Sequence, residues 1–138
     1  MIAVDAGFLY AIVDRRDRWH GRSLAAAATR DEGWITTWPV LAEITYLFQK
    51  RLSGDYAAAL MVDVAEGGID IWNVPPGELA RIPALMRRYA SLPMDLADAT
   101  LVLLAEHLGH GRILSTDERD FKTYRWKQRK PFVNLLAG

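Results

Sequence analysis

The chain has 138 residues and a mass of 15.5 kDa, with 51% hydrophobic and 25% charged residues, the proportions of one folded domain (1–138) rather than of a disordered chain. It has no cysteine, which excludes disulfides, zinc ribbons, thiol catalysis and iron–sulfur clusters and fits a cytoplasmic setting. Seventeen Lys and Arg balance seventeen Asp and Glu, so the net charge is zero, unlike the basic balance of a general nucleic-acid coat protein.

In chain order, Ile2-Ala3-Val4 reads as a strand that stops at Asp5, followed by a helix over 7–14 and another over about 20–29. Trp34-Ile35-Thr36 is a short strand. Thr37 is the expected N-cap of the next helix, with Pro39 in its first turn and Val40, Ile44, Leu47 and Phe48 on its apolar face. A helix over 56–66 ends at Gly67-Gly68, and a strand over 69–74 ends at Pro75-Pro76. Residues 79–90 are expected to be helical up to the break at Ser91-Leu92-Pro93. A strong helix over 95–108 stops at Gly109, a strand over 113–115 runs into Thr116-Asp117, and 132–136 is a last short strand. Strands alternating with helices predict an α/β fold, with parallel crossovers and a sheet covered by helices. No leader is expected, because Asp5 interrupts the first apolar run, and no stretch approaches the ~18 apolar residues of a membrane span.

In open α/β sheets ligands bind beyond the carboxyl ends of the strands. Asp5 and Asp117 stand at two such ends, where an acid reads either as a helix cap or turn residue or as a ligand. Glu43 falls at the edge of its helix's apolar face, either beside a site or bent out towards Lys50. Asp95 and Asp98 lie three apart at a helix start. Capping explains Asp95 well. Asp98 is in line with Leu101, Val102 and Ala105, where an acid needs a partner, so it favours a functional reading. Asp120 pairs with Arg119 or Lys122, or joins the others. Carboxylates that converge repel one another unless a cation neutralises them, and an all-oxygen set suits Mg²⁺ or Mn²⁺.

The segments Val4-Asp5-Ala6-Gly7, Thr36–Glu43, Met94-Asp95-Leu96-Ala97-Asp98-Ala99 and Ser115–Phe121 together resemble the PIN-domain ribonucleases, above all the small VapC-type toxins of toxin–antitoxin pairs, nearly end to end. The resemblance implies a three-layer α/β/α fold with a mainly parallel central sheet. It implies Mg²⁺- or Mn²⁺-dependent RNA cleavage with Asp5, Glu43, Asp98 and Asp117 as the acidic cluster, and Asp5, Asp98 and Asp117 as metal ligands. Asp95 and Asp120 match accessory acids, and Thr37 and Thr116 match supporting hydroxyls. It also implies a homodimer and an inhibiting antitoxin. Many relatives carry Thr or Ser just after the first acid. Here Ala6-Gly7 follow, so a hydroxyl beside Asp5 is expected to be missing. A DNA or flap nuclease, and a PIN-like module that binds RNA or protein without cutting, are the alternatives.

Residues 112–130 hold seven basic against three acidic residues. Arg112, Arg119, Lys122 and Arg125 are therefore candidate phosphate contacts, with Tyr124 or Trp126 either stacking on bases or packed in the core. His107 and His110 read as helix-end residues rather than as ligands. Met61, Leu60 and Val64 suit either the core or an apolar surface for a dimer or an antitoxin helix.

Overall fold

The computed structural model describes residues 1–29 and 31–137. A five-stranded, wholly parallel sheet is flanked by helices. Its strands are β1 (Ile2–Val4), β2 (Trp34–Thr36), β3 (Ile69–Ile71), β4 (Arg112–Leu114) and β7 (Val133–Asn134), in the order β3-β2-β1-β4-β7. β5 (Arg125–Trp126) and β6 (Lys130–Pro131) form a separate antiparallel hairpin. The helices are α1 (Ala6–Ala11), α2 (His20–Ala28), α3 (Trp38–Arg51), α4 (Gly54–Ala65), α5 (Arg81–Arg88), α6 (Leu96–Leu108) and α7 (Glu118–Thr123), with a 3₁₀ turn at Pro76–Glu78.

β1 occupies the middle of the sheet, which is why its three residues are all apolar rather than alternating. α6 is apolar on more than one face because it packs against α3, α5, β1 and β5, and Leu101, Val102, Leu103 and Leu104 are all buried. Gly109 ends it in the left-handed region at φ 77°, as a helix C-terminus favours. No helix among the described residues is long and apolar enough to cross a membrane.

Several expected boundaries move. The first helix covers Ala6–Ala11 rather than 7–14, because Asp5 caps it directly. The third strand is Ile69–Ile71 rather than 69–74, since it needs only to match three-residue β2. The expected helix over 79–90 shortens to α5, with the 3₁₀ turn before it, and Pro83 falls in the first turn of α5, where its missing N–H costs little. Residues 118–123, for which no element is expected beyond a cap or turn at Asp117, are α7. The β5–β6 hairpin is also unforeseen. Its turn residues Lys127 and Gln128 take φ 48° and 67°, a conformation usually signalled by Gly or Asn.

Candidate active site

The chain leaves β1 for β2 on one side, while β4 pairs with β1 on the other, so the winding direction reverses between β1 and β4. Such a reversal opens a crevice beyond the strands' carboxyl ends. The register sets Val4 beside Leu114, and the Asp5 amide donates to the Leu114 carbonyl at 3.2 Å, which brings Asp5 level with Ser115. A cleft of about 320 Å³ lies there, lined by Asp5, Glu43, Asp95, Asp98, Asp117 and Asp120, with Gly7 and Thr116 in its wall.

Three of these acids cap helices as well as lining the cleft. Asp5 accepts from the Phe8 amide (3.0 Å), Asp95 from the Asp98 amide (2.8 Å) and Asp117 from the Asp120 amide (3.2 Å). Capping and facing the cleft are therefore compatible here, because α1, α6 and α7 all begin at its edge. Their amino-terminal dipole ends partly offset the gathered negative charge. Oxygens of Asp98, Asp117 and Asp120 lie within 4.8 Å of one another. That oxygen-only triangle is the set best placed to hold a hard divalent cation. Asp120, expected as an accessory acid, is buried within the triangle even though Arg119 Nε donates to its Oδ1 at 3.2 Å. Asp5 stands beside the triangle with both carboxylate oxygens engaged. Glu43 sits on the rim on α3, and the Lys50 ammonium, its alternative partner, lies over the Tyr46 ring instead.

The electrostatics record the crowding. Burial pushes the Asp5 carboxyl up to about 7, opposed by the bonds from Ser115 and Phe8 and reinforced by the charges of Asp117 and Glu43. Burial, then the charge of Asp95, pushes Asp98 up to about 8, opposed by the bond from Tyr124. Asp117 is raised to about 6, first by burial and then by Asp120. Glu43 is raised by burial and by Asp95. Groups shifted together in one cleft mark a site built to receive positive charge.

Three residues to which the sequence reading gave no part in the acidic site organise it. Ser115 donates its hydroxyl to Asp5 Oδ2 and accepts from the Asp117 amide at 2.9 Å. The hydroxyl expected to be missing after Asp5 thus comes from the end of β4. Asn134 on β7 holds Ser115 in place, donating to its carbonyl at 2.9 Å and accepting from its amide at 3.2 Å. Tyr124 donates its hydroxyl to Asp98 Oδ2 at 2.8 Å. No local pattern encodes the bonds to Asp5 and Asp98, since the Ser115–Asp5 pair spans 110 residues and the Tyr124–Asp98 pair 26.

The two expected hydroxyls act differently. Thr37 occupies the N-cap position of α3 but makes no side-chain cap. The Thr100 hydroxyl donates to the Ala97 carbonyl at 2.7 Å, so Thr37 donates to Thr100, also at 2.7 Å, tying the start of α3 to the first turns of α6. Thr116 lines the cleft with its hydroxyl against Gly7, where an added Cβ would collide with it. Gly7→Ala is accordingly expected to destabilise the fold by about 1–3 kcal/mol, although alanine is the better helix former. Thermal melting checks this, and Thr116→Ala in the same chain should restore most of the loss.

The basic segment divides. Arg119 and Lys122 are exposed on α7, and Arg119 also donates to the Leu92 carbonyl at 3.2 Å, beside the cleft residue Pro93. Arg112 starts β4, at the opposite end of the sheet, and forms a two-pronged pair with Glu32. Arg125 spends its guanidinium on the carbonyls of Lys122 (2.8 Å), Thr123 (3.3 Å) and Tyr124 (3.0 Å). Tyr124 and Trp126 are buried, so neither is open to stack on a base. His107 stacks on Trp72, and His110 accepts from the Arg112 amide.

Comparison with known proteins agrees with this geometry. Ribonuclease VapC26 of Mycobacterium tuberculosis is 25% identical over 122 residues, spanning 88% of this chain and 90% of that protein. The crystal structure of Mycobacterium tuberculosis VapC20, described as a sarcin-ricin loop cleaving toxin, superposes with a TM-score of 0.78 at 19% identity, covering 86% of this chain and 92% of that one. The PIN domain family model matches residues 2–127, from the central strand through every acid of the cleft to the tip of the hairpin, and on that match the chain belongs to the PIN-domain family.

Proposed function

We propose that this protein is a Mg²⁺- or Mn²⁺-dependent endoribonuclease, the toxin component of a toxin–antitoxin pair, that hydrolyses RNA phosphodiester bonds in the cytoplasm. The observation that carries the reading is the triangle of Asp98, Asp117 and Asp120 oxygens at the switch-point cleft of a PIN-domain chain. PIN-domain nucleases use divalent metal ions, and these residues offer the ligands such an ion prefers. The chemistry a bound divalent ion would supply here is charge neutralisation at the scissile phosphate and a more acidic water. Asp98, Asp117 and Asp120 would hold it, while Asp5, fixed by Ser115 and Phe8, would add negative charge to its surroundings. Glu43, on the rim, orients water or supports a second ion. Arg119 and Lys122 on α7 hold the RNA backbone next to the cleft.

The VapC likeness also supports a cognate antitoxin, and the reading extends to a homodimer. A second cleft of about 550 Å³ between α3 and α4, lined by Trp38, Leu41, Ala42, Ala57 and Met61 among others, offers an apolar seat for an antitoxin helix.

The test is cleavage of a total RNA pool by antitoxin-free protein with Mn²⁺, with Mg²⁺ and with EDTA. Metal-dependent fragments with defined ends are expected, and mapping those ends identifies the RNA. Intact RNA, from folded protein shown to bind Mn²⁺, would shift the reading to a binding module without cleavage. An identical ladder in EDTA would remove the metal dependence.

A further inference from the structure

Buried tyrosine hydroxyls need partners, and most find a backbone group or a structural acid. Two of this chain's buried tyrosines follow that pattern. Tyr89 accepts from the Arg125 amide at 3.0 Å, and Tyr10 donates to Asp14 at 2.6 Å, away from the cleft. Tyr124 differs, because its hydroxyl ends on Asp98 Oδ2, inside the acidic site. Its side chain is fully buried. The ring is held edge-on by Tyr89 (centroids 5.0 Å apart) and by Phe121 (5.1 Å). Its amide donates to the Asp120 carbonyl at 2.9 Å. One residue therefore links two members of the triangle, Asp120 through the main chain and Asp98 through the hydroxyl.

The Asp98 backbone is set independently, by the bond from its amide to Asp95. Its side chain has a free torsion, and the phenol bond is what stops it. That bond holds Oδ2 from the core side and leaves the carboxylate's remaining lone pairs to the cleft that Asp98 lines. Resting on the metal-site reading above, we propose that Tyr124 is a positioning residue, whose hydroxyl holds the Asp98 carboxylate in the orientation from which it binds a divalent cation together with Asp117 and Asp120. Hydrogen-bond partners of this kind orient metal ligands, and their removal weakens metal binding by about 10–100-fold.

The experiment uses the full chain as wild type, Tyr124→Phe and Tyr89→Phe. Mn²⁺ binding is followed by electron paramagnetic resonance of the free ion, RNA cleavage is measured against Mn²⁺ concentration, and melting is recorded in EDTA. Tyr124→Phe keeps the ring and its packing and deletes only the hydroxyl. It is expected to weaken Mn²⁺ binding about 10-fold or more. The Mn²⁺ needed for half-maximal cleavage should rise in parallel, and saturating Mn²⁺ should restore most of the rate. Tyr89→Phe deletes a hydroxyl from the same aromatic cluster without touching Asp98, and should leave Mn²⁺ binding unchanged. Tyr124→Phe binding Mn²⁺ as tightly as wild type would overturn the proposal. Equal weakening in Tyr89→Phe would also overturn it, by assigning the effect to packing, as would a cleavage loss that saturating Mn²⁺ does not recover. Wild type that binds no Mn²⁺ would instead sink the metal-site reading itself, before any variant is compared.

Discussion

Asp98→Asn is expected to lower RNA cleavage by about 10³-fold, the order seen when a single group supporting charge in a transition state is removed, while raising the melting temperature of the metal-free protein. Both effects have one cause. Burial, together with the charges of Asp95, Asp5 and Asp117, makes ionised Asp98 costly, and its carboxyl titrates at about 8. Asparagine has nearly the same shape and can still accept from Tyr124 through its carbonyl, but it carries no charge to be desolvated or repelled. The metal-free fold should therefore gain several degrees near pH 8, on the scale of about 1–2 kcal/mol in a chain of this length. The cleft loses a ligand at the same time. Cleavage assays and melting in EDTA, on protein prepared identically, check the two arms. Unchanged cleavage would remove Asp98 from the site, and a lower melting temperature would contradict the electrostatic account.

Metal-free wild type is expected to lose stability as pH rises from about 5 to about 8. Asp5, Asp98 and Asp117 titrate at about 7, 8 and 6 in the folded state, against an ordinary value of 3.8. Between those limits the folded chain holds protons that the unfolded chain has released. Stability must then fall with rising pH, steadily from about pH 4 and levelling off above about 8. Glu106, lowered by its bonds from Arg81 and the Lys127 amide despite partial burial, works the other way, but its contribution is lost only at lower pH. A divalent cation should reverse the trend, because it binds the ionised carboxylates and only in the folded state. Melting curves at pH 5, 6, 7 and 8, in EDTA and in millimolar Mg²⁺, are expected to diverge with pH, with a difference on the order of 5–10 °C at pH 8. Parallel curves would mean that the acids do not gather around an ion.

Much of this was legible without coordinates. Asp5 and Asp95 announce helix starts, and Asp117 a cap or turn, because an N-cap is a local bond to an amide three residues on. Asp98 stands out because it interrupts an apolar stripe. What misled was treating capping and function as rivals at the first three, since a helix that begins at a cleft lets its cap do both. The hairpin escaped because Lys127 and Gln128 adopt left-handed angles without the residues that usually advertise them.

The sequence by itself determined the alternation of strands and helices and the strand ends and helix starts at which acids stand. These follow from periodicity and capping, which act over a few residues. Only the tertiary structure decided which groups steady those acids and which basic residues stand near them. It took the packing of β4 against β1 to bring the Ser115 hydroxyl to Asp5, and that of β5 against α6 to bring the phenol of the preceding Tyr124 to Asp98. The strand direction put Arg112 at the far end of the sheet while leaving Arg119 by the cleft. Each of these contacts joins segments whose separation along the chain carries no periodic signal, so it exists only once the sheet has closed in register.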